Sequence, residues 1–314
     1  GWSGRGGEGH VETEWLARVL ADHADARFRF VAGHHPVFPV NGFAGEHQRE
    51  LDHREGEAFW QLLVEHRVDA YLCSHVLAFD AQVHRGVLQM TSAGAGTPHR
   101  MPEGIEYLHA VQAAVDEAGL RWQVIDHGGQ ARERLSWPPS LPSSSTWQPV
   151  PRASSVRTID PTGGPVGERL VAWRFEGRLD ADPGADGRPQ TLVVTDADGG
   201  ALPTIWVGLT GVDRRLTVVI GPEPHRSPHS WFGPSLGAAG ERFEIQLGLH
   251  LDMGPGGVLW RASDDDTWSS LSAASPWGLE RVRWPQTWSH GSAVGADRSP
   301  FRGQLAVWAP KPGR

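Results

Sequence analysis

The sequence predicts an α+β or α/β first part followed by an all-β sandwich of the jelly-roll type. Two apolar, β-branched runs, residues 28–32 and 70–74, flank an amphipathic stretch at residues 55–66. Strand, helix and strand in this order indicate a parallel crossover unit. After residue 165, short β-like runs recur between Gly, Pro and Asp without helical periodicity, which is typical of a sandwich.

The remaining elements of the first part follow from the same patterns. Residues 12–24 predict a helix, because their apolar side chains fall on one helical face. Residues 87–93 predict a strand, and residues 109–116 and 120–125 alternate about a short turn, which predicts a hairpin. Pro, Ser and Thr then dominate, which is typical of an extended linker. The expected organisation is a first domain, a linker and a sandwich at residues 1–137, 138–165 and 166–314.

Both strands of the predicted crossover run into histidine. The first continues into Gly33-His34-His35-Pro36, and the second continues into Ser74-His75-Val76-Leu77. Because the carboxyl ends of parallel strands meet at one edge of a sheet, we expect His34 and His75 to lie close together. Neutral imidazole is the commonest protein ligand for transition metals, so the pair predicts a metal site.

These segments, with the helix between them and the small-residue strand at residues 90–96, resemble the calcineurin-like metallophosphoesterases. Among these, the purple or tartrate-resistant acid phosphatases are the most similar. The family shows G-H-x-P, a helix, G-H-x-H and a small-residue strand in the order found across residues 12–135. The earlier family motifs D-x-H, G-D-x-x-D and G-N-H-[ED] do not occur in the chain. The resemblance therefore implies the C-terminal half of a phosphoesterase sandwich, whose sheet would expose an apolar face.

Carried over residue by residue, the resemblance makes His34 and His75 ligands of the same ion in a two-metal centre. The second histidine of G-H-x-H would serve the other ion, but Leu77 stands there and has no ligand atom. Asp80 follows closely and is a weaker candidate oxygen ligand. The expected cofactor is Fe, Zn or Mn, in one tight site rather than two. The residues expected beside the ligands or in the pocket wall are His35, Leu77, Gly94 and Gly96.

The implied activity is hydrolysis of phosphoric esters by a hydroxide that two metal ions activate, with one metal site degraded at Leu77. The alternative is an inactive pseudoenzyme that acts as a binding or adaptor protein through its sandwich, with a glycan or another surface ligand. The segment at residues 300–308 is similar to the last strand of concanavalin-like or laminin-G-like sandwiches. Most tryptophans of the second part are predicted to lie in the core, although tryptophan also stacks on sugars.

Composition excludes several classes of function. The formal net charge of −8 argues against nucleic acid as a partner. No run of about 18 apolar residues occurs, so no membrane span is expected. Cys73 is the only cysteine, which excludes intrachain disulfides and cysteine-based zinc clusters. The acidic run at residues 264–266 is interpreted as a solvated loop rather than a calcium site. The family resemblance favours an extracytoplasmic location.

Overall fold

The computed structural model describes residues 11–43, 50–95, 106–117, 119–139, 147–150, 170–180, 187–195, 205–221, 228–238, 240–250, 252–263, 265, 267–276, 288–291 and 300–310. Two α-helices lie within them, α1 (Thr13–Asp22) and α2 (His53–Glu65). The strands, in chain order, are β1 (Phe30–Ala32), β2 (Ala70–Cys73), β3 (Phe79–His84), β4 (Val87–Ser92), β5 (His109–Asp116), β6 (Gly119–Asp126), β7 (Ala131–Trp137), β8 (Trp147–Pro149), β9 (Leu170–Leu179), β10 (Gln190–Thr195), β11 (Ile205–Thr210), β12 (Arg215–Ile220), β13 (His229–Ser235), β14 (Arg242–His250), β15 (Val258–Ala262), β16 (Ser269–Ser270), β17 (Ser272–Ala273), β18 (Trp288–His290) and β19 (Gly303–Pro310).

The predicted α+β or α/β fold class is wrong. In the described residues only α1 and α2 are α-helical, whereas nineteen strands form four sheets. Three of these sheets are antiparallel throughout, and parallel pairing is confined to β1–β2 and β2–β4. The expectation gave too much weight to one crossover, β1–α2–β2, although a hairpin was also predicted in the first part. After β2 the chain returns mainly through hairpins, so the molecule is predominantly β and consistent with a β-sandwich, not with half of an α/β phosphoesterase.

The four-stranded sheet runs in the order β1–β2–β4–β3 and carries both helices on one face. Helix α2 begins after Asp52, whose carboxylate accepts a hydrogen bond from the Arg54 amide. The helix buries Phe59, Trp60 and Leu63 in the core beneath it. Full burial of such side chains stabilises the fold by about 1.5–3 kcal/mol each. The helices therefore hold the sheet whose carboxyl edge carries the histidines.

The other face of this sheet packs against the antiparallel sheet β5–β6–β7. The predicted β5–β6 hairpin forms, with Asp116 opposite Gly119 at its turn. Phe30 and Leu72, at the β1–β2 margin, remain 38% and 36% exposed. The apolar exposure expected for this sheet is thus limited to that margin in the described residues. The core between the two sheets also contains side chains from the second part, namely Met253, Leu259 and Trp268.

Two six-stranded antiparallel sheets make up the second part. Their orders are β17–β13–β12–β11–β10–β18 and β16–β15–β14–β9–β19–β8. They enclose an apolar core in which Trp173, Phe175 and Trp231 are at most 1% exposed. Strand β8 lies inside the segment predicted as a linker and pairs with the end of β19. Because strand side chains alternate, the same strands that fill this core also present an outward row of polar residues.

Strand β3 joins the two parts. The amides of Val83 and Arg85 donate hydrogen bonds of 2.9 and 3.1 Å to the hydroxyls of Ser270 and Ser269. These serines replace the neighbouring strand that an edge strand otherwise lacks. Gly256 approaches β3 so closely that a Cβ there would overlap the carbonyl oxygen of Ala81. The close approach therefore requires glycine.

Asn41 closes the same junction from the loop after β1. The side chain is buried, and its nitrogen donates to the carbonyl of Leu271 at 3.1 Å and to that of Pro255 at 3.4 Å. Its oxygen accepts a 2.9 Å hydrogen bond from the amide of Ala273. One amide side chain of the first part therefore pairs three backbone groups of the second. We call these contacts, with those of β3, the seam.

Candidate functional site

Backbone hydrogen bonds bring the two histidine segments together. The amide of Gly33 donates to the carbonyl of Leu72 at 3.0 Å, and the amide of Ser74 donates to the carbonyl of His34 at 3.0 Å. The parallel pairing of β1 and β2 thus continues one step beyond both strands. His75 follows immediately with φ of 63°, in the left-handed region that costs a non-glycine residue about 1–2 kcal/mol. Such strain is commonly retained where it aims a functional side chain.

His34, His35 and His75 form one cluster at this edge. His75 Nδ1 lies 2.9 Å from His34 Nε2, and the ring centroids of His35 and His75 are 4.1 Å apart. One ligand nitrogen from each ring lies within 4.8 Å of the other two. Zinc holds nitrogen at about 2.0–2.1 Å, so two ligands of one ion lie at most about 4.2 Å apart. Small ring rotations would bring all three into range, and three imidazoles suit Zn, Fe or related ions.

The loop that carries His34 and His35 is held from beneath by buried polar side chains. The hydroxyl of Tyr71 donates to the carbonyl of His35 at 2.6 Å. Gln89 Oε1 accepts from the amides of Val37 and Phe38 at 2.8 and 3.0 Å. Gly33 lies against Tyr71, where any Cβ would overlap the phenol. The histidine positions are therefore fixed by the fold before any ligand binds, which is the arrangement that a precise site needs.

Of the residues that the structure describes, the others expected at the site do not belong to the histidine cluster. Leu77 is partly exposed and offers no ligand atom. Gly94 lies against the ring of His109, which a Cβ would overlap, and its carbonyl accepts from the His109 amide at 3.1 Å. Gly96 lies outside the described residues. Among the described residues, the histidine cluster is the group positioned to hold a metal, and Asp80 does not belong to it.

Asp80 instead lies in a buried polar row of β3 with Gln82 and His84. Gln82 Nε2 donates to Asp80 Oδ2 and to the carbonyl of Pro39, both at 2.7 Å, and the Asn41 amide donates to Asp80 Oδ1 at 3.3 Å. Desolvation raises the pKa of Asp80 to about 7, although these hydrogen bonds oppose the rise. Desolvation likewise lowers the pKa of His84 to about 4. The row therefore favours neutral side chains.

A second candidate site lies on the outer face of the sandwich. Strands β9, β14 and β19 form a groove there, with a cavity of about 520 Å³ lined by residues 176–178, 242–244 and 303–306. Their register places side chains in three outward rows. The rows are Trp308, Arg174 and Gln246; then Ala306, Glu176 and Glu244; then Gln304, Arg178 and Arg242. We call this surface the outer groove.

Ion pairs fix the middle of the outer groove. Arg174 Nη2 contacts the carboxylate of Glu176 and lies 2.9 Å from Glu244 Oε1. The Arg174 guanidinium also lies 5.3 Å from the centroid of the Trp308 indole, within cation–π distance. Ala306 contributes only a methyl group between the longer side chains of its neighbours on β19. The small Ala306 thus leaves a shallow depression beside the flat, partly exposed indole of Trp308, which we call the platform.

Sequence reasoning missed the residues that make the outer groove. The tryptophans singled out in the second part behave largely as predicted: Trp231 and Trp268 are buried core residues, and Trp260 packs against the core. The side chains of Trp277, Trp284 and Trp288, and most of the acidic run, lie outside the described side chains. Trp308 was placed in the last strand but not considered as a ligand contact, although the alternating pattern of β19 was a usable signal.

Comparison with known proteins adds little. No protein-family model matches the chain, and no curated protein matches it. Among the solved structures that match is one described as Ruminococcus gnavus IT-sialidase CBM40 bound to α2,6 sialyllactose. The match covers 52% of this chain and 90% of that one, at 12% sequence identity and a TM-score of 0.35. A similarity of this size supports no conclusion about fold or ligand. Within the described residues no helix combines the length and apolarity needed to cross a membrane.

Proposed function

We propose that this chain is a binding or adaptor protein whose sandwich holds a glycan in the outer groove. The observation that carries the proposal is the three-row array over β9, β14 and β19. The cavity over its second and third rows has a volume of about 520 Å³, within the range of small-molecule sites, about 300–1,000 Å³. A saccharide offers many hydroxyl groups and flat carbon faces. It therefore suits a surface that combines fixed donors, fixed acceptors and an indole.

The polar groups of the groove meet this requirement. Arg174, Glu176 and Glu244 hold one another in place, so little side-chain entropy is lost when a ligand binds. Gln246 accepts a 3.0 Å hydrogen bond from Arg261 Nε, which extends the same array onto β15. Trp308 supplies a ring in the first row, next to the cavity. The side chains of Arg174, Glu176, Glu244 and Gln246 therefore have defined directions before binding.

The test is a glycan array followed by calorimetry on the hits. Trp308→Ala removes the platform and is expected to weaken binding at least about tenfold, since a lost aromatic contact of this kind is large in a small site. Trp15→Ala is the matched control, because Trp15 is 56% exposed on α1, in the other part of the chain. Absence of binding to every glycan, or equal loss in the two variants, would refute the proposal.

The histidine cluster favours a second function, metal-dependent hydrolysis of phosphoric esters, in line with the family resemblance. His34, His35 and His75 would hold the ion, and an ion at this partly exposed edge would supply Lewis acidity to a phosphoryl group. Tyr71 would keep the His35 backbone in position while substrate binds. The donor set is nitrogen only, which among the expected ions favours Fe or Zn, because Mn, like Mg and Ca, prefers oxygen ligands.

Cobalt titration followed by visible absorption tests the metal site without relying on activity. We expect one equivalent per chain, lost in His34→Ala and retained in His53→Ala, a control with an exposed histidine at the start of α2. Hydrolysis of a chromogenic phosphate ester is then measured on the metal-loaded protein. A rate above the metal-free level that His34→Ala abolishes would support hydrolysis. Two tightly bound equivalents would contradict the single site.

A further inference from the structure

The two arginines at the end of the outer groove face each other without an acid between them. Arg178 and Arg242 are directly opposed across β9 and β14, and both are exposed. Like charges in this position destabilise an antiparallel pair. The acids of the adjacent row, Glu176 and Glu244, are both engaged by Arg174. The groove thus contains a like-charge pair that its own carboxylates leave uncompensated.

Within the part of the chain that the structure describes, no carboxylate forms an ion pair with either arginine. Arg178 Nε donates to the carbonyl of Gly240 at 3.0 Å, a contact that orients the guanidinium but leaves its charge unpaired. The third member of the row, Gln304, is neutral. This like-charge pair occurs in a chain with a formal net charge of −8.

We propose that Arg178 and Arg242 form an anion subsite, and that the glycan bound in the outer groove carries a carboxylate or a sulfate. The inference rests on the proposed glycan-binding function and specifies its ligand. Two guanidinium forks at neighbouring positions match the oxygen atoms of either group. Gln304 can donate to a neighbouring hydroxyl from the same row. The acidic group would lie at the Arg178 end, and an uncharged ring would lie towards Trp308.

Calorimetry with three oligosaccharides of one backbone tests the inference: the uncharged parent, a sulfated form and a uronic-acid form. Arg178→Gln and Arg242→Gln are each expected to weaken binding of both acidic forms about tenfold and to leave the parent unchanged. Arg215→Gln is the matched control, because Arg215 is also exposed on a strand and its Nε donates to a backbone carbonyl, that of Gly233. Binding of the acidic forms should also weaken with added salt.

The outcomes separate the two proposals. If Trp308→Ala weakens all three ligands while the arginine variants resemble Arg215→Gln, the groove binds glycans and the anion subsite is wrong. If no saccharide binds, inorganic sulfate decides: a rise in thermal midpoint that Arg178→Gln and Arg242→Gln abolish supports the subsite without the glycan. No rise in that case refutes both proposals. Thermal midpoints of the variants alone confirm that each one folds.

Discussion

Asn41→Ala tests whether the seam makes the two parts one stable unit. The substitution removes the partners of two backbone groups at 3.1 and 2.9 Å, the carbonyl of Leu271 and the amide of Ala273, and of a weaker contact to Pro255. A buried polar group left without a partner costs about 1–3 kcal/mol. Counting only the two shorter hydrogen bonds, we expect the free energy of unfolding to fall by about 2–6 kcal/mol.

Urea denaturation followed by tryptophan fluorescence measures this loss, which should move the midpoint by about 1 M or more. Gln123→Ala is the control, because it removes a hydrogen bond to Gln112 at the surface. Substitutions of that kind usually change stability by no more than about 0.5 kcal/mol. If Asn41→Ala costs less than about 1 kcal/mol, water replaces the side chain and the seam does not depend on Asn41.

Two further predictions concern buried groups of the first part. Asp80 holds its proton to about pH 7 in the folded chain, whereas its ordinary pKa is 3.8, so its contribution to stability falls as pH rises through that window. The fall is on the order of 4 kcal/mol. His84 has the opposite effect, because its lowered pKa makes the folded state more stable as pH rises towards its ordinary value of 6.5. The contribution of Asp80 is therefore isolated by urea unfolding of Asp80→Asn and of the wild type at pH 4 and pH 8. If the free energy of unfolding depends on pH equally in the two proteins, the prediction is wrong. Gly33→Ala should displace the Tyr71 phenol from the His35 carbonyl and weaken cobalt binding about tenfold or more; unchanged affinity would show that this support is dispensable.

Local patterns located many elements, but not the fold class. The helices and the β5–β6 hairpin were predicted because their periodicity is complete within a short stretch. Strand β3 was missed although Asp80, Gln82 and His84 alternate with its apolar residues, a pattern that is typical of a strand with one solvent-facing side. Those polar residues are buried because the loop after β1 covers them. The covering loop, which includes Pro39 and Asn41, lies about forty residues away in sequence, so its contacts cannot be predicted from the pattern of β3 alone.

The two candidate sites differ in how far the sequence could reveal them. The proximity of His34 and His75 followed from strand order. His35 was expected beside the ligands or in the pocket wall. The chain has already left the strand at that point, so both imidazoles reach the same cluster. The outer groove depends on the register of β9 with β14 and β19, strands that are far apart in sequence.

The shared core beneath the seam limits how this chain can be divided. Met253, Leu259 and Trp268 complete the packing under β5–β6–β7, although the sequence between residues 138 and 165 looks like a place to cut. A protease that nicks that segment should leave two fragments that stay together until denaturant is added. Either part fused alone to another protein would expose its half of the shared core. We therefore expect that recombination in evolution has moved the two parts together.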